Sequence, residues 1–549
     1  MGGKDVLIKA VLQAIPVYTM QCFLLPISLC HSLEQIMAKF WWRNNGTNKG
    51  IHWCAWTQLA KPKSMGGMGF RNLSQFNTAL LAKQCWRLVT CSNCFLAQVL
   101  KGQILSRKDF MSTDLGSNPS YIWRSIWSAR GLIEKGYGWH VGTGSRINIW
   151  NEPWLPGDGD GRVRTQGIDI YHTTVADLID QSEKVWKLDI LHELFEEDQV
   201  ERICSIPITR GTYVDDIIWR LEGSGCYTVK SGYRLLQNVS PAIASHISGF
   251  FTAVWNVELP PKVRIIMWRV ANNFLPTYDN LQRRRLVVSN ICPFCDSPGE
   301  IVVHLMRDCA LSNQQLAAFN LAPSHTVMVI YWSVWYSRNK LVHEGYKSSI
   351  YEKITFVNAF IREQDSICAL KGTTRPSVIS RWLAPPSPAI KINFDSAFNQ
   401  QGSYAISGAI GRNSEGLIMA ASAVPHSNVP DAFVAEALAC QQAVQLAKDV
   451  GFSNVIIEGD SLTVIKKINA GSHDRSVIAP IIADIKELAK NFGAISFRFV
   501  RREANKAVHV LARECCSCQT PCYWLEEAPM EATTAAEVDI GGFCFSTND

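Results

Sequence analysis

The stretch Lys391-Ile-Asn-Phe-Asp-Ser-Ala397 decides the reading of this chain. It is an apolar run with an acid, Asp395, at its edge. Two comparable placements follow, Glu436 in Ala435-Glu-Ala-Leu-Ala439 and Asp460 in Ile456-Ile-Glu-Gly-Asp-Ser461. A carboxylate beside apolar strands is costly unless it is paired or binds a metal. Several carboxylates gathered by one fold are the usual way to hold Mg²⁺ for phosphoryl chemistry. A further segment, Arg502-Glu-Ala-Asn-Lys-Ala-Val-His-Val-Leu-Ala512, places a histidine, His509, at its centre.

The surrounding sequence frames these acids as one domain, 388–514. Strand-like runs occupy 389–394, 405–411, 416–421, 454–458 and 494–500, and helix-like runs occupy 431–449, 461–469, 478–490 and 504–513. Three hairpin-connected strands followed by alternating helices and strands predict a mixed five-stranded sheet flanked by helices. Asp395 is expected to end the first strand, Glu436 to sit on a helix facing the sheet, and Asp460 to lie between a strand and a helix. Arg381-Trp-Leu-Ala-Pro-Pro-Ser-Pro388 is a Pro-rich boundary before the domain. The segment 515–549 is expected to be a disordered tail. Its cysteines, Cys515, Cys516, Cys518 and Cys522, lack regular framing.

Upstream, Cys292-Pro-Phe-Cys295 is followed by His304 and Cys309. Two cysteines on a tight turn and a His/Cys pair just over one helical turn apart suit tetrahedral Zn²⁺. Four protein ligands leave no open position for water, so the expected zinc is structural. The remaining chain reads as a helical segment, 1–112, a connecting region with short strands, 113–225, the zinc module, 226–312, and a linker with a helix, 313–387. Within the connecting region, 142–150 reads as a turn and short strand, and 215–229 as a hairpin. The tryptophans of the first segment read as core.

At 549 residues the chain is too long for one domain, and 47% apolar with 19% charged residues excludes global disorder. A net charge of +6 is compatible with a polyanionic partner. Eighteen cysteines without secretory spacing suggest a reducing, intracellular setting. The apolar N-terminus is interrupted by Lys9, Gln13 and Pro16 and is too short to span a bilayer, so no membrane association is expected. Oligomeric state is not legible.

These residues carry a resemblance. Tyr227-Thr-Val-Lys-Ser-Gly-Tyr233, Trp255-Asn256, Pro260-Pro-Lys-Val263, Trp268 and the Cys/His set resemble the zinc-binding domain that follows plant LINE-type (non-LTR) reverse transcriptases. Gly2 to Pro16 and Phe40-Trp-Trp42 look like the region just after the polymerase palm in such elements. Residues 389–514 resemble their RNase H-like domain. The architecture so implied is a helical reverse-transcriptase remnant, a small zinc-binding module and a C-terminal α/β RNase H-like fold. The resemblance begins after the polymerase palm, and the one Tyr-x-Asp-Asp run, Tyr213-Val-Asp-Asp216, lies in the connecting region, so no polymerase activity is expected.

The resemblance implies two-metal hydrolysis of the RNA strand of an RNA–DNA hybrid. Asp395 would bridge two Mg²⁺ (or Mn²⁺), and Glu436 and Asp460 would complete their shells. Lys466, Lys467, Arg501 and Arg502 are candidate phosphate contacts, with a solvated surface explaining them about equally well. Asp460 also reads as a helix N-cap, Glu436 as a solvated helix face, and Asp395 as a strand-end turn. Two positions depart from the active pattern. His509 stands where the fourth carboxylate of the family falls, and Phe499 where a loop histidine assists product departure. A neutral histidine is a poor Mg²⁺ ligand, and His509 is read either as a proton acceptor or as a packing residue. The expected function is a hybrid ribonuclease with impaired turnover, the competing one a nucleic-acid-binding remnant that does not cut. Nuclear residence follows from the resemblance alone.

Overall fold

In a computed structural model, the described residues are 2–43, 50–91, 93–101, 110–157, 159–164, 170–208, 213–237, 245–319, 323–372, 381–471 and 474–541. The chain divides into two compact units. One comprises Met1–Cys85, Asp114–Arg130 and Tyr233–Ser377, and the other Trp86–Thr113, Gly131–Gly232 and Val378–Asp549.

The first unit is helical. Its core joins Val263, Leu275, Cys292, Leu305, Cys309, Met328, Val334 and Trp335, so two members of the Cys/His cluster are packed into the apolar interior while Cys295 and His304 stay half-buried. Residues 313–387, expected as a linker with a short helix, instead contribute two long helices, Ser324–Glu344 and Ile350–Gly372. The first buries Met328, Val329, Ile330, Val334 and Trp335, which no solvated linker would do. Its Arg338 makes a bidentate pair with fully buried Glu300, at 2.8 and 2.7 Å.

The second unit contains the connecting region and the C-terminal domain. The hairpin expected within 215–229 does not form. Asp216–Trp219 pairs instead with Tyr137–His140, antiparallel. The Thr228 hydroxyl accepts from the Ser231 N–H, and the chain passes into helix Val229–Leu236 rather than returning as a strand. The turn at 142–150 is present, without its expected strand. The N–H groups of Gly142, Gly144 and Arg146 donate to the buried Asp215 carboxylate, which takes the place of a ladder partner.

The C-terminal domain is built in chain order from β1 (Ile390–Asn399), β2 (Tyr404–Arg412), β3 (Ile418–His426), α1 (Ala432–Val450), β4 (Asn454–Gly459), α2 (Leu462–Asn469), α3 (Ala479–Ala489), β5 (Ala494–Phe499), α4 (Lys506–Glu514), β6 (Cys522–Leu525) and α5 (Met530–Gly541). The sheet order is β6-β3-β2-β1-β4-β5. β1, β2, β3 and β6 are antiparallel neighbours, whereas β4 and β5 run parallel to β1. One sheet face carries Ile392, Phe394, Val455 and Ile457 against Val434, Ala437, Cys440 and Val444 of α1 and Ile481 and Ile485 of α3. The other carries Ile406, Ile410, Ala421 and Ala423 against Val508 and Leu511 of α4 and Ala532 and Ala536 of α5. Each fully buried Ile or Phe contributes about 1.5–3 kcal/mol.

Two expectations are corrected here. The sheet has six strands, not five, because β6 pairs with β3 through Cys522↔Ala423 to Leu525↔Ala420. The expected disordered tail is therefore ordered through Gly541, and α5 covers the second sheet face. Burial explains it: Ala532 and Ala536 are four residues apart, one helical stripe over the sheet. Arg412, 1% exposed at the side chain, is neutralised by Asp539 of α5 at 3.0 Å.

Candidate metal centres and their relatives

β1 runs on to Asn399, so Asp395 lies within the strand, opposite Gly408 of β2, rather than ending it. It is 4% exposed. The pleat sends neighbouring side chains to opposite faces, so Asp395 meets α4 and Ser396 meets α1. The Ser396 hydroxyl donates to Glu436 Oε1 at 2.8 Å. Asp460 follows β4, whose last residue, Gly459, lies against Phe394. A Cβ there would stand 2.3 Å from that ring, so a glycine is required for β4 to deliver Asp460. The residue preceding α2 is Ser461, with no side-chain cap bond, so Asp460 is not its N-cap.

One carboxylate oxygen each from Asp395, Glu436 and Asp460 lies within 4.8 Å of the others. Burial, and then the Asp395 charge, push the Glu436 carboxyl up to about 8, against the opposing Ser396 hydrogen bond. Burial and Asp395 also raise Asp460, which Arg502 and His509 partly offset. Glu436 Oε2 is buried with no hydrogen-bond partner. An orphaned oxygen in a set of mutually repelling oxygen donors is what a divalent cation satisfies, and an all-oxygen set suits Mg²⁺ or Mn²⁺ chemistry.

His509 touches this set directly. Its Nδ1 is 2.7 Å from Asp395 Oδ2, while Arg502 Nη2 is 3.2 Å from its Nε2. An arginine only donates, so Nε2 accepts and Nδ1–H donates to the carboxylate, which fixes the neutral tautomer. The histidine thus occupies an oxygen of Asp395. Phe499 is 42% exposed at the end of β5. Among the candidate phosphate contacts, Lys466, Arg501 and Arg502 are exposed. Lys467 differs, being paired with Asp474 at 2.6 Å.

Residues beyond the sequence reading hold the site. Asn505 is buried, donates to the Phe394 carbonyl at 2.8 Å and accepts from Asn393 at 3.1 Å, fastening the start of α4 to β1. Ser396, next to Asp395, orients Glu436. Adjacency was the only sequence signal for the serine, and nothing local marked the asparagine pair.

In the first unit, single ligand atoms of Cys292, Cys295, His304 and Cys309 also lie within 4.8 Å of one another. Cys295 Sγ is 3.3 Å from His304 Nε2, and the Sγ atoms of Cys292 and Cys309 are 4.0 Å apart. A tetrahedron with Zn–S near 2.3 Å has S···S edges of roughly 3.8 Å, so these residues fit zinc. Burial pushes the Cys292 thiol up to about 12. Burial acts the same way on Cys295, but hydrogen bonds from Ser297 and Cys292 outweigh it and bring Cys295 down to about 6.

A family described as reverse transcriptase-like matches residues 393–515, and one described as zinc-binding in reverse transcriptase matches 227–315. An uncharacterized mitochondrial protein of Arabidopsis thaliana is 38% identical over 143 residues, covering 26% of this chain and 93% of that protein. The chain belongs to one family with that mitochondrial protein over the residues they share, and it carries a reverse-transcriptase-type zinc-binding module and a reverse transcriptase-like, RNase H-like domain. A second Arabidopsis thaliana protein, provisionally named a ribonuclease H protein, is 24% identical over 562 residues, 93% of this chain and 88% of its own. Among solved structures, RNase H1 of Halobacterium salinarum NRC-1 is similar over 24% of this chain and 98% of its own, at 24% identity and a TM-score of 0.22. The two family matches make the C-terminal domain RNase H-like and nucleic-acid-binding, and the 227–315 module zinc-binding. Among the described residues, no helix is long and apolar enough to cross a membrane.

Proposed function

We propose that the C-terminal domain is a metal-dependent ribonuclease acting on the RNA strand of RNA–DNA hybrids, with turnover slowed by His509, in a protein of plant LINE-type (non-LTR) retroelement origin. The observation that carries this reading is the convergence of Asp395, Glu436 and Asp460 around the unpartnered Glu436 Oε2. Divalent cations, when bound, supply an activated water and charge neutralisation at the scissile phosphate. Ser396 fixes the Glu436 carboxylate, and Asn505 fixes β1 against α4, so the three acids are held before ligand arrives. Lys466, Arg501 and Arg502 would meet phosphates, and 2′-hydroxyl contacts would select RNA. His509 donates to Asp395 and withholds one of the oxygens that a bridging ligand needs.

The second reading, a binding remnant without turnover, is favoured by that same His509–Asp395 bond. Mn²⁺ titration calorimetry and hybrid binding on the full chain separate the two from a carboxylate cluster with no metal role. Metal uptake that disappears in Asp395→Asn supports the site. Uptake unchanged by that substitution sinks it. Hybrid cleavage then distinguishes the enzyme from the remnant. Nuclear residence belongs to the same proposal.

A further inference from the structure

The first unit contains a buried cation that no carboxylate among the described residues neutralises. Arg269, on helix Pro261–Ala271, is 8% exposed and lies over the Trp42 ring at 5.3 Å. Its Nε has no hydrogen-bond partner, and among the described residues no carboxylate pairs with it. Burial alone lowers its guanidinium to about 10.

Lys4 and Arg43 share its surroundings, and Lys9, Lys63 and Arg264 form a second cationic group in the same unit. The Lys4 ammonium donates to the Arg43 carbonyl and lies over Phe40 at 5.5 Å. Burial lowers Lys4, and the charges of Arg43 and Arg269 lower it further, as expected when like charges share one place. Lys9 lies over Phe70 at 5.4 Å, and Lys63 over Trp255 at 4.2 Å. Burial, Lys9 and Arg264 lower Lys63, and Asp5 alone opposes them. Asp5 is already engaged by Lys9 at 2.7 Å. Exposure falls from Arg43, exposed, through Lys4, half-buried, to Arg269, buried, so the positive charge leads inward from the surface.

A folded chain keeps an unpaired buried charge only at a cost, which a bound anion removes. Clustered cations reaching the surface are the electrostatic footprint of a phosphodiester backbone. We propose that Lys4, Lys9, Arg43, Lys63, Arg264 and Arg269 form a second nucleic-acid surface that binds the sugar-phosphate backbone of single-stranded RNA, with Arg269 as its innermost phosphate contact. It uses none of the carboxylate-site residues and does not rest on the reading of that site.

The test uses the full chain with zinc and without added Mg²⁺ or Mn²⁺, so that no metal-dependent cleavage enters. Binding of a labelled single-stranded RNA is followed against salt. In Lys4→Glu and Lys63→Glu the affinity falls, and the slope of log K against log salt drops by about 0.7 per cation removed. Arg269→Met weakens binding yet melts at a higher temperature than the parent in phosphate-free buffer, because a purely structural arginine would give the opposite shift. Inorganic phosphate raises the melting temperature of the parent and not of Arg269→Met. Unchanged affinity and salt slope in Lys4→Glu and Lys63→Glu would overturn the proposal, including where phosphate alone still stabilises the chain, since the site would then serve a free anion. Arg269→Met that melts lower and binds RNA like the parent would also overturn it. A chain that loses RNA on Lys63→Glu but never cleaves a hybrid would refute the ribonuclease reading and leave this one standing.

Discussion

Asp395 is the residue on which the C-terminal domain turns, and its neighbours decide what it can do. His509 donates to Asp395 Oδ2 at 2.7 Å, with Arg502 setting the tautomer. Replacing it by aspartate supplies an oxygen ligand and frees Asp395. His509→Asp is expected to raise the hybrid cleavage rate about 10–100-fold, the scale on which partners of metal ligands act, measured as initial rates in Mg²⁺. The acids were legible because acids at the edges of apolar runs are rare, and His509 because the resemblance sets it where a fourth carboxylate falls. Asp395's place inside β1 was not, because strand ends depend on partners, and Tyr404 to Ser407 of β2 extend the ladder past it. A second residue-scale prediction concerns His140, fully buried with its Nδ1 unpartnered. Burial depresses it to about 4, against raising contributions from Val477 and nearby Asp216, Asp474 and Asp215. It is therefore neutral when folded but protonates more readily when unfolded. Its contribution is present above pH 6.5 and is lost as pH falls toward 4, on the order of 3 kcal/mol. Urea denaturation across that window should show the loss, and His140→Phe should flatten it.

At the scale of elements, β6 and α5 are structural parts of the domain. The single patterned clue was Ala532-Thr-Thr-Ala-Ala-Glu-Val538, whose small residues give a weak apolar signal even though Ala532 and Ala536 are buried. The decisive contact, Arg412 with Asp539, spans 127 residues and no local pattern reports it. Asp539→Ala leaves that guanidinium buried and unpaired, and should cost about 3 kcal/mol in chemical denaturation. The zinc module was legible for the opposite reason: ligand spacing is local, and Cys292, Cys295, His304 and Cys309 lie within eighteen positions. Cys309→Ser should abolish the zinc retained through gel filtration, measured by mass spectrometry, and lower the melting temperature of the chain. A helix was legible at 327–339, but its full extent, Ser324–Glu344, and the whole of Ile350–Gly372 were read as linker because their aromatic and polar residues blur the helical period.

At the scale of the whole molecule, neither unit is one continuous stretch of chain. Residues 131–232, most of the connecting region and the start of the zinc module as read from sequence, belong to the same unit as the RNase H-like domain, joined by Arg475 to Asp216 at 2.9 Å and by Tyr213 to the Asp474 carbonyl at 3.2 Å. Contacts more than two hundred positions apart are invisible to a linear reading, which therefore cut the chain at the domain motif. A truncation beginning at 388 removes these contacts, and the intact chain is the proper object for activity. The central claim is tested most directly by cleavage of an end-labelled RNA strand in an RNA–DNA hybrid by the full-length chain, in Mg²⁺ and in Mn²⁺, beside Asp395→Asn. The account predicts slow cleavage that requires the divalent metal and disappears in Asp395→Asn. Robust cleavage that survives Asp395→Asn would contradict it.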